Sequence, residues 1–246
     1  MPQHIPYPVR FRDSAVQGDE IQEYIGKIST GNTGISVGLL SFPAGWNEPP
    51  QTPDFDEYVC VYDGELTVAT EYNEFHVEQD KGLFIPKGER IQYSTGKKNV
   101  QYLAVCTPAF APELTHRENE GQYIETQKPD GKHPFVYSER DKTWIKGKCF
   151  VFQEYFGTIS RNAKGVSIAR ILAVGDLGKV FSNAPSDQYY IVRKGSLFVQ
   201  TRYTEFTAAE NQGVIIRKGE EFQCRPLGEH TEMFFVSHPA IGMVFE

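Results

Sequence analysis

The side chains best suited to chemistry are concentrated in one acidic, proline-rich segment, WNEPPQTPDFDEY at residues 46–58. Its four carboxylates are Glu48, Asp54, Asp56 and Glu57. Three prolines stiffen the backbone between them, and Trp46 stands at the start. Two interpretations are open. The segment is either a rigid acidic rim, with Trp46 capping a pocket, that recognises a cationic or hydroxylated ligand, or a solvated acidic turn with Trp46 packed against neighbouring strands.

Other catalytic patterns are missing from the sequence. It contains no GxSxG, P-loop, HExxH or GxGxxG motif. No two of its six histidines have HxH or HxxxH spacing, and His76, which follows Glu74-Phe75, is interpreted as a surface residue of a strand. The net charge of −7 disfavours nucleic acid or an anionic membrane as a partner.

The sequence favours a cytoplasmic protein. No apolar run approaches the ~18–20 residues of a membrane-spanning helix. The first residues, MPQHIPYPVRFRDS, lack the apolar stretch of a signal peptide. Without a secretory signal, the cysteines are expected to be reduced thiols, and none belongs to a CxxC pair. They are Cys60, Cys106, Cys149 and Cys224.

An internal repeat organises the chain. At an offset of 131, residues 23–92 match residues 154–223 with 23 identities in 70 ungapped positions. EYIGKIS matches EYFGTIS, and GLFIPKGERIQ matches GVIIRKGEEFQ. Repeats of this kind indicate two copies of one structural unit.

Each copy has the pattern of a β domain. Short runs rich in Val, Ile, Tyr, Phe and Thr alternate with turns such as Asp63-Gly64, and YVCVYDGELTVATEY and EMFFVSHP are typical examples. Only ELTHRENE, after Pro112, has a helical pattern. Many short strands with little helix predict a sandwich or barrel, and the duplication predicts two of them.

The first copy resembles the cupin superfamily. Gly45, the Gln51-Thr52-Pro53 triplet, Glu57 and Gly64 have the spacing of the first cupin motif, and Pro86-Lys87-Gly88 has that of the second. The run CTPAFAPELTHRE is similar to small bacterial cupins, including those of ethanolamine utilisation. The resemblance implies an all-β fold with two tandem jelly-roll barrels, a bicupin. We expect an N-terminal barrel at 1–110, a connector at 111–133 and a C-terminal barrel at 134–246.

The metal ligands implied by this resemblance are mostly replaced. In metal-binding cupins, two histidines and a glutamate of the first motif and a histidine of the second hold a divalent ion. The corresponding residues here are Gln51, Pro53, Glu57 and Ile91 in the first copy, and Ser182, Ala184, Gln188 and Phe222 in the second. Imidazole donors are what such an ion prefers, so we expect no cofactor. The alternative is an atypical metal site in the N-terminal barrel that uses Gln51, Glu57 and His76.

The first barrel is the better candidate for a binding site. If Glu57 points inward, as the resemblance implies, Val59 and Val61 share its face of the strand. In the second copy that face carries Gln188, Tyr190 and Val192, which predicts a filled, structural barrel. Glu57 is the candidate catalytic residue, because a buried carboxyl suits proton transfer. The candidate substrate-binding residues are Trp46, Glu48, Gln51, Asp54 and Gln92. Gln92 is also present in the second copy as Gln223, which favours a structural role.

Three functions are consistent with these observations. The first is a bicupin that binds a small polar molecule in the N-terminal barrel, with Glu57 as acid or base of a metal-independent isomerase, cyclase or lyase. The second is a metal-dependent cupin enzyme, a dioxygenase or isomerase, with an atypical site. The third is a non-catalytic structural or regulatory cupin. The resemblance also implies a homodimer.

Overall fold

The structure, a computed structural model, describes residues 3–11, 20–119, 121–125, 136–137, 143–146, 150–158, 165–173 and 182–241. Within these residues the chain forms strands and one short 3-10 helix. The strands that precede the connector are β1 Gln3–Ile5, β2 Val9–Phe11, β3 Glu20–Ile25, β4 Ser36–Phe42, β5 Asp56–Asp63, β6 Glu65–Thr70, β7 Glu74–Glu78, β8 Gly82–Ile85, β9 Ile91–Thr95 and β10 Val100–Thr107. The 3-10 helix spans Pro112–Leu114. The later strands are β11 Val136–Tyr137, β12 Thr143–Lys146, β13 Phe150–Phe156, β14 Ser167–Ala173, β15 Ser182–Asn183, β16 Asp187–Thr201, β17 Glu205–Ala209, β18 Gly213–Ile216 and β19 Glu221–His238.

The first repeat forms two sheets that share one core. The larger sheet has the strand order β11-β8-β5-β10-β4-β3-β2, and the smaller has the order β7-β6-β9. Val59 and Val61 of β5 pack with Leu66 and Val68 of β6 in a buried cluster. The alternation of side chains along β5 therefore places Val59 and Val61 inside the barrel, as predicted.

The second repeat builds the same layers from longer strands. Strand β16 covers the positions equivalent to β5 and β6, and β19 covers those equivalent to β9 and β10. One continuous sheet therefore results, with the order β1-β18-β16-β19-β14-β13-β12. Its core cluster includes Tyr190, Val192, Phe222 and Phe235.

A glycine permits the tight turn between β5 and β6. Gly64 has φ of 79°, and a Cβ there would lie 2.0 Å from the backbone oxygen of Asn99. Both the left-handed backbone and the lack of space require glycine. Gly195, at the equivalent position, has φ of 76° and a similar clash with the oxygen of His230.

The structure divides into two compact units, and in each of them a short strand distant in sequence pairs with a sheet edge. One unit comprises Val9–Arg140, and the other comprises Met1–Pro8 with Asp141–Glu246. Strand β1 pairs with β18 of the second repeat, whereas β11, from the segment after the predicted connector, pairs with β8 of the first. The edges of β8 and β18 are thus completed by residues distant in sequence. The domain boundaries at 110 and 133 stay a prediction.

Two further expectations are resolved here. The helical pattern of ELTHRENE produces only the 3-10 turn Pro112–Leu114, since His116 has a positive φ of 47° that an α-helix does not allow.

Cys60, Cys106 and Cys224 are free thiols, and Cys149 lies outside the described residues. Among the described residues, no helix is long and apolar enough to cross a membrane.

Candidate functional site

A cavity of about 80 Å³ opens inside the first barrel. Its walls are largely apolar, with a few polar groups among them. The lining side chains are Ile21, Glu23, Ser36, Gly38, Leu40, Phe42, Glu48, Gln51, Phe55, Glu57, Tyr93, Tyr102, Ala104, Cys106, Phe110 and Arg117. An apolar pocket with a few convergent polar groups is the usual form of a small-molecule site.

Small residues leave room for this cavity. Ala104 pairs with Gly38 across β10 and β4, and the equivalent pair in the second barrel is Phe235 with Ala169. Phe235 is completely buried in the second core. The Phe235 side chain thus fills space in the second barrel, whereas the smaller Ala104 and Gly38 leave the equivalent space open in the first.

Glu57 is the buried acid of the cavity. It lies near the start of β5, and its Oε2 accepts a hydrogen bond of 2.8 Å from the hydroxyl of Tyr93 on β9. Burial raises the pKa of Glu57 from 4.5 to about 7, while the Tyr93 hydrogen bond and the Arg117 charge act in the opposite direction. Burial, and secondly the Glu57 charge, raises the pKa of Tyr93, so its hydroxyl remains a donor.

A second polar group surrounds Glu48. The Gln51 side-chain Nε2 donates to Glu48 Oε1 over 2.8 Å, and Arg117 Nη2 lies 3.4 Å from Glu48 Oε2. All three side chains are largely buried, with exposures of 5% for Glu48 and Gln51 and 13% for the Arg117 side chain. The guanidinium and the amide together stabilise a carboxylate that would otherwise be costly to bury.

Residues 112–119, which we name the strap, bring Arg117 to the cavity. The strap lies beside residues 50–54 and is joined to them by backbone hydrogen bonds. The amides of Thr52 and Asp54 donate to the carbonyl oxygens of Thr115 and Leu114, and the Glu118 amide donates to that of Pro50. A bidentate ion pair joins Arg90 to Glu118. Arg90 Nε donates to Glu118 Oε1 over 2.5 Å, and Arg90 Nη2 donates to Glu118 Oε2 over 2.8 Å.

The remaining polar wall residues have structural partners. Glu23 Oε1 accepts hydrogen bonds from the backbone amides of Ile28 and Ser29, at 3.0 and 2.7 Å, and thereby holds the turn after β3. Ser36 accepts a hydrogen bond from the Phe110 amide. Burial raises the pKa of the Cys106 thiol well above its ordinary value, so this cysteine is a poor nucleophile.

The structure places three of the six predicted site residues around the cavity: Glu48, Gln51 and Glu57. Trp46 is instead buried in the core and stacks on Phe42, with ring centroids 3.8 Å apart. Its side chain packs against the barrel, because the large ring gains more from burial than from exposure at a rim.

Asp54 and Gln92 also lie away from the cavity lining. The exposed Asp54 carboxylate pairs with His116 of the strap at 2.6 Å. Within the described part of the chain, Gln92 binds backbone groups only: its amide nitrogen donates to the backbone oxygens of Glu48 and Gln122, and its side-chain oxygen accepts from the Ile124 amide. The retention of glutamine in both repeats was the signal of this structural role.

Tyr93 and Arg117 belong to the site although the sequence analysis did not select them. Tyr93 follows Gln92 on β9, and strand alternation directs the two side chains to opposite faces. An inward position of Tyr93 was therefore accessible from the sequence pattern. Arg117 lies outside the repeated residues 23–92, so its position depends on the path of the strap.

The donors around Glu57 do not fit the divalent metal implied by the cupin resemblance. Ile91, in place of the second-motif histidine, is buried in the apolar core, and the Arg117 charge acts on Glu57. The described residues hold no cluster of three or more His, Cys, Asp or Glu suited to a metal. His76 lies on β7, where it is exposed and contacts Thr67, Glu65 and Glu74, so it does not supplement the cavity.

The second barrel fills the equivalent positions. Gln188, equivalent to Glu57, is buried, and its Oε1 accepts a hydrogen bond of 2.8 Å from Tyr190. Ala184 and Phe222 are buried in the core, and the side chain of Ser182 lies outside what is described. The inward orientation predicted for Gln188, Tyr190 and Val192 matches this arrangement.

Comparison with solved structures defines the fold. A mutant of Bacillus subtilis oxalate decarboxylase superposes with a TM-score of 0.77 and 11% identity, covering 99% of this chain and 78% of that one. A structure of the same enzyme at pH 4.6 gives a TM-score of 0.76 with 10% identity, over 98% and 76% of the two chains. That enzyme contains Mn(II) centers. The all-β fold of two tandem cupin barrels is thus confirmed.

Sequence comparisons are less extensive. No family model matches the chain. Endoribonuclease YbeY of Myxococcus xanthus is 39% identical over 102 residues, which represent 41% of this chain and 35% of that protein. The chain therefore spans about a third of the length of this curated relative. The similarity to ethanolamine-utilisation cupins stays a prediction.

Proposed function

We propose that the first barrel binds a small polar molecule in its cavity and that Glu57 transfers a proton to or from this molecule. The observation that carries the proposal is a carboxyl group in an apolar-walled cavity with a pKa of about 7. At neutral pH this group is present in both protonation states, so it accepts a proton in one step and returns it in another. Isomerisation, cyclisation and elimination are the metal-independent reactions that need this chemistry.

The contacts of Glu57 suit such a role. Tyr93 holds Oε2 in place, and within the described residues no hydrogen bond is made to Oε1. One carboxyl oxygen is thereby oriented and the other is available to a ligand. Perturbed carboxyls in clefts are frequent at catalytic sites, which supports the assignment.

The activities of the comparison proteins are not extended to this chain. Oxalate decarboxylase is only 11% identical to the chain where the two align, and the cavity here is lined by three carboxyl groups that disfavour a dianion. The endoribonuclease match covers 35% of that protein, and the net charge of −7 disfavours an RNA backbone.

A two-stage experiment tests the proposal. Small polar metabolites are first screened by thermal shift on the wild type, on Ala104→Phe and on Tyr190→Phe. Phenylalanine at 104 introduces the residue of the second barrel and fills the cavity, so stabilisation by ligands is expected to disappear. Tyr190→Phe removes a buried hydroxyl from the second barrel and is expected to keep it.

A gentler variant protects the screen against misfolding of Ala104→Phe. In Gly38→Ala the added Cβ meets Gln22 O at 3.5 Å and Leu40 Cδ1 at 3.7 Å, which are ordinary contacts. This variant is expected to fold and to weaken binding, because its methyl group enters the cavity wall. Ligand stabilisation that is unchanged in both variants would place the binding site elsewhere.

Proton transfer is tested in the second stage with the ligands that bind. Each is incubated in D₂O with the wild type and Glu57→Gln, and loss of ligand C–H signals is followed by NMR. General acid–base catalysis contributes about 10²–10⁴-fold, so the exchange rate is expected to fall by that factor in the variant while binding persists. An unchanged exchange rate in Glu57→Gln would remove the catalytic part of the proposal.

A further inference from the structure

Two hydrogen-bond donors of the cavity are engaged by protein acceptors, whereas Arg117 Nε is buried with no acceptor among the described residues. The Tyr93 hydroxyl donates to Glu57, and the Gln51 Nε2 donates to Glu48. Arg117 is directed to Glu48 as well, at 3.4 Å. The Tyr93 hydroxyl and the Gln51 Nε2 therefore offer a ligand no hydrogen bond unless their present pairs break.

Acceptors, in contrast, remain available. Gln51 lines the cavity and is 5% exposed, and its Oε1 is buried with no donor among the described residues. The orientation of this amide is fixed, because Glu48 Oε1 is an acceptor and Nε2 must face it. Within the same described part of the chain, Glu57 Oε1 also accepts no hydrogen bond. A buried acceptor without a donor is costly, so a ligand that donates to it gains affinity.

The charged side chains around the cavity also favour a ligand that donates hydrogen bonds. Among the described residues, Glu23, Glu48 and Glu57 line the cavity together with a single cation, Arg117. The acidic groups outnumber the cation even without Glu57, and ionisation of Glu57 adds a further negative charge. An anionic ligand is repelled, whereas a neutral or cationic donor is not.

On the basis of the proposed function, we infer that the ligand of this cavity is a small hydrogen-bond donor, such as an alcohol, an amide or an organic ammonium, which donates to Gln51 Oε1 and Glu57 Oε1. A ligand that consists of carboxylates alone is excluded by the same geometry. This assignment names the substrate class of the proposed function and requires no metal.

Four probes built on three carbon atoms separate the ligand classes. Malonamide and glycerol are neutral donors, 1,3-diaminopropane is a cationic donor, and malonate at neutral pH has only acceptors. Binding to the full chain is measured by calorimetry and by the shift of the Gln51 side-chain amide signals in NMR. We expect binding of at least one donor probe, with a shift of the Gln51 signals, and at least about tenfold weaker binding of malonate. The two kinds of donor probe distinguish a neutral from a cationic ligand.

Matched glutamine variants test the role of Gln51. Gln51→Leu removes the free acceptor and is expected to weaken binding of the donor probe by about tenfold. Gln153→Leu is the control, since Gln153 is 2% exposed in the second unit and also has an unpaired amide atom, on Nε2, but does not line the cavity. It is expected to bind like the wild type. The NMR shift of Gln51 in the wild type provides the answer if Gln51→Leu does not fold.

The possible outcomes separate this inference from the proposed function. Preferred binding of malonate, or donor binding that is unaffected by Gln51→Leu, overturns the inference. The proposed function survives that result if binding is still lost in Ala104→Phe. If neither these probes nor any screened metabolite binds in a manner sensitive to Ala104→Phe, both are overturned.

Discussion

At the level of single residues, the environment of Glu57 determines the acid–base properties of this carboxyl group. The same carboxyl at an exposed position would be an ordinary surface charge. In the cavity, burial opposes ionisation more strongly than Tyr93 and Arg117 favour it, and the pKa rises to about 7. The raised pKa therefore depends on the cavity as much as on the glutamate itself.

The raised pKa makes stability depend on pH. The folded-state pKa of Glu57 exceeds its ordinary value of 4.5, so its contribution to stability is fully present below about pH 4.5 and is lost as the pH rises through about 7. Glu57→Gln removes this loss while keeping an acceptor for Tyr93. We expect the variant to gain stability relative to the wild type between pH 5 and pH 8.5, by roughly 3 kcal/mol at most. Urea unfolding at both pH values measures the difference.

A surface glutamate provides the control for this prediction. Glu74 is exposed on β7, and Glu74→Gln is expected to leave the pH dependence of unfolding unchanged. If Glu57→Gln follows the wild type at both pH values, the carboxyl is not buried in solution as it is in the structure.

At the level of elements, the strap connects the surface to the cavity. It supplies Arg117, and its own position depends on backbone pairing with residues 50–54 and on the pair between Arg90 and Glu118. The Arg90 hydrogen bonds lower the pKa of Glu118, so that carboxylate is ionised at neutral pH. Because the pair is bidentate and only partly exposed, it restrains the strap better than a typical surface ion pair.

Loss of this pair is expected to loosen the strap. Glu118→Gln keeps the size of the side chain and removes its charge, so the Thr52 and Glu118 amides should exchange hydrogen about fivefold faster, equivalent to about 1 kcal/mol. Native-state hydrogen exchange measures this change. Glu113→Gln is the matched control, since Glu113 pairs with Lys27 in an exposed bridge and its loss should have little effect. Equal exchange in both variants would show that backbone pairing alone holds the strap.

At the level of the complete chain, one of the two compact units is formed from two separate ranges of sequence, Met1–Pro8 and Asp141–Glu246. Strand β1 precedes the first repeat but completes the edge of β18 in the second repeat. Ile5 of β1 is buried, and His4 contacts Gln212 and stacks on Phe206. The first residues of the chain therefore contribute to the stability of the unit that contains its last strand.

Ile5→Ala is expected to weaken the second unit selectively. The lost burial should cost about 2 kcal/mol and increase hydrogen exchange of β18, whereas β8, the equivalent strand of the first repeat, should be unaffected. Tyr7→Ala is the control, because Tyr7 is exposed and its loss should change little. Faster exchange in β8 as well would contradict the assignment of β1 to the second unit.

Repeating patterns in the sequence were sufficient to predict the β fold of both copies. Alternating side chains and the 131-residue repeat predicted two β barrels, and Asp56 and Asp187, which are identical in both copies, proved to be structural. They accept equivalent 2.9 Å hydrogen bonds from the amides of Lys87 and Lys218. Periodicity and local turns are encoded within short windows, so they are readable without coordinates.

The composition of the site, in contrast, followed from contacts between distant segments. In the structure Trp46, Asp54 and Gln92 lie away from the cavity lining, whereas Tyr93 and Arg117 line the cavity. The open volume depends on small residues that meet across β10 and β4, and the pKa of the buried glutamate depends on groups from three separate segments. These properties arise from packing between residues distant in sequence, and no local pattern records which side chains will meet.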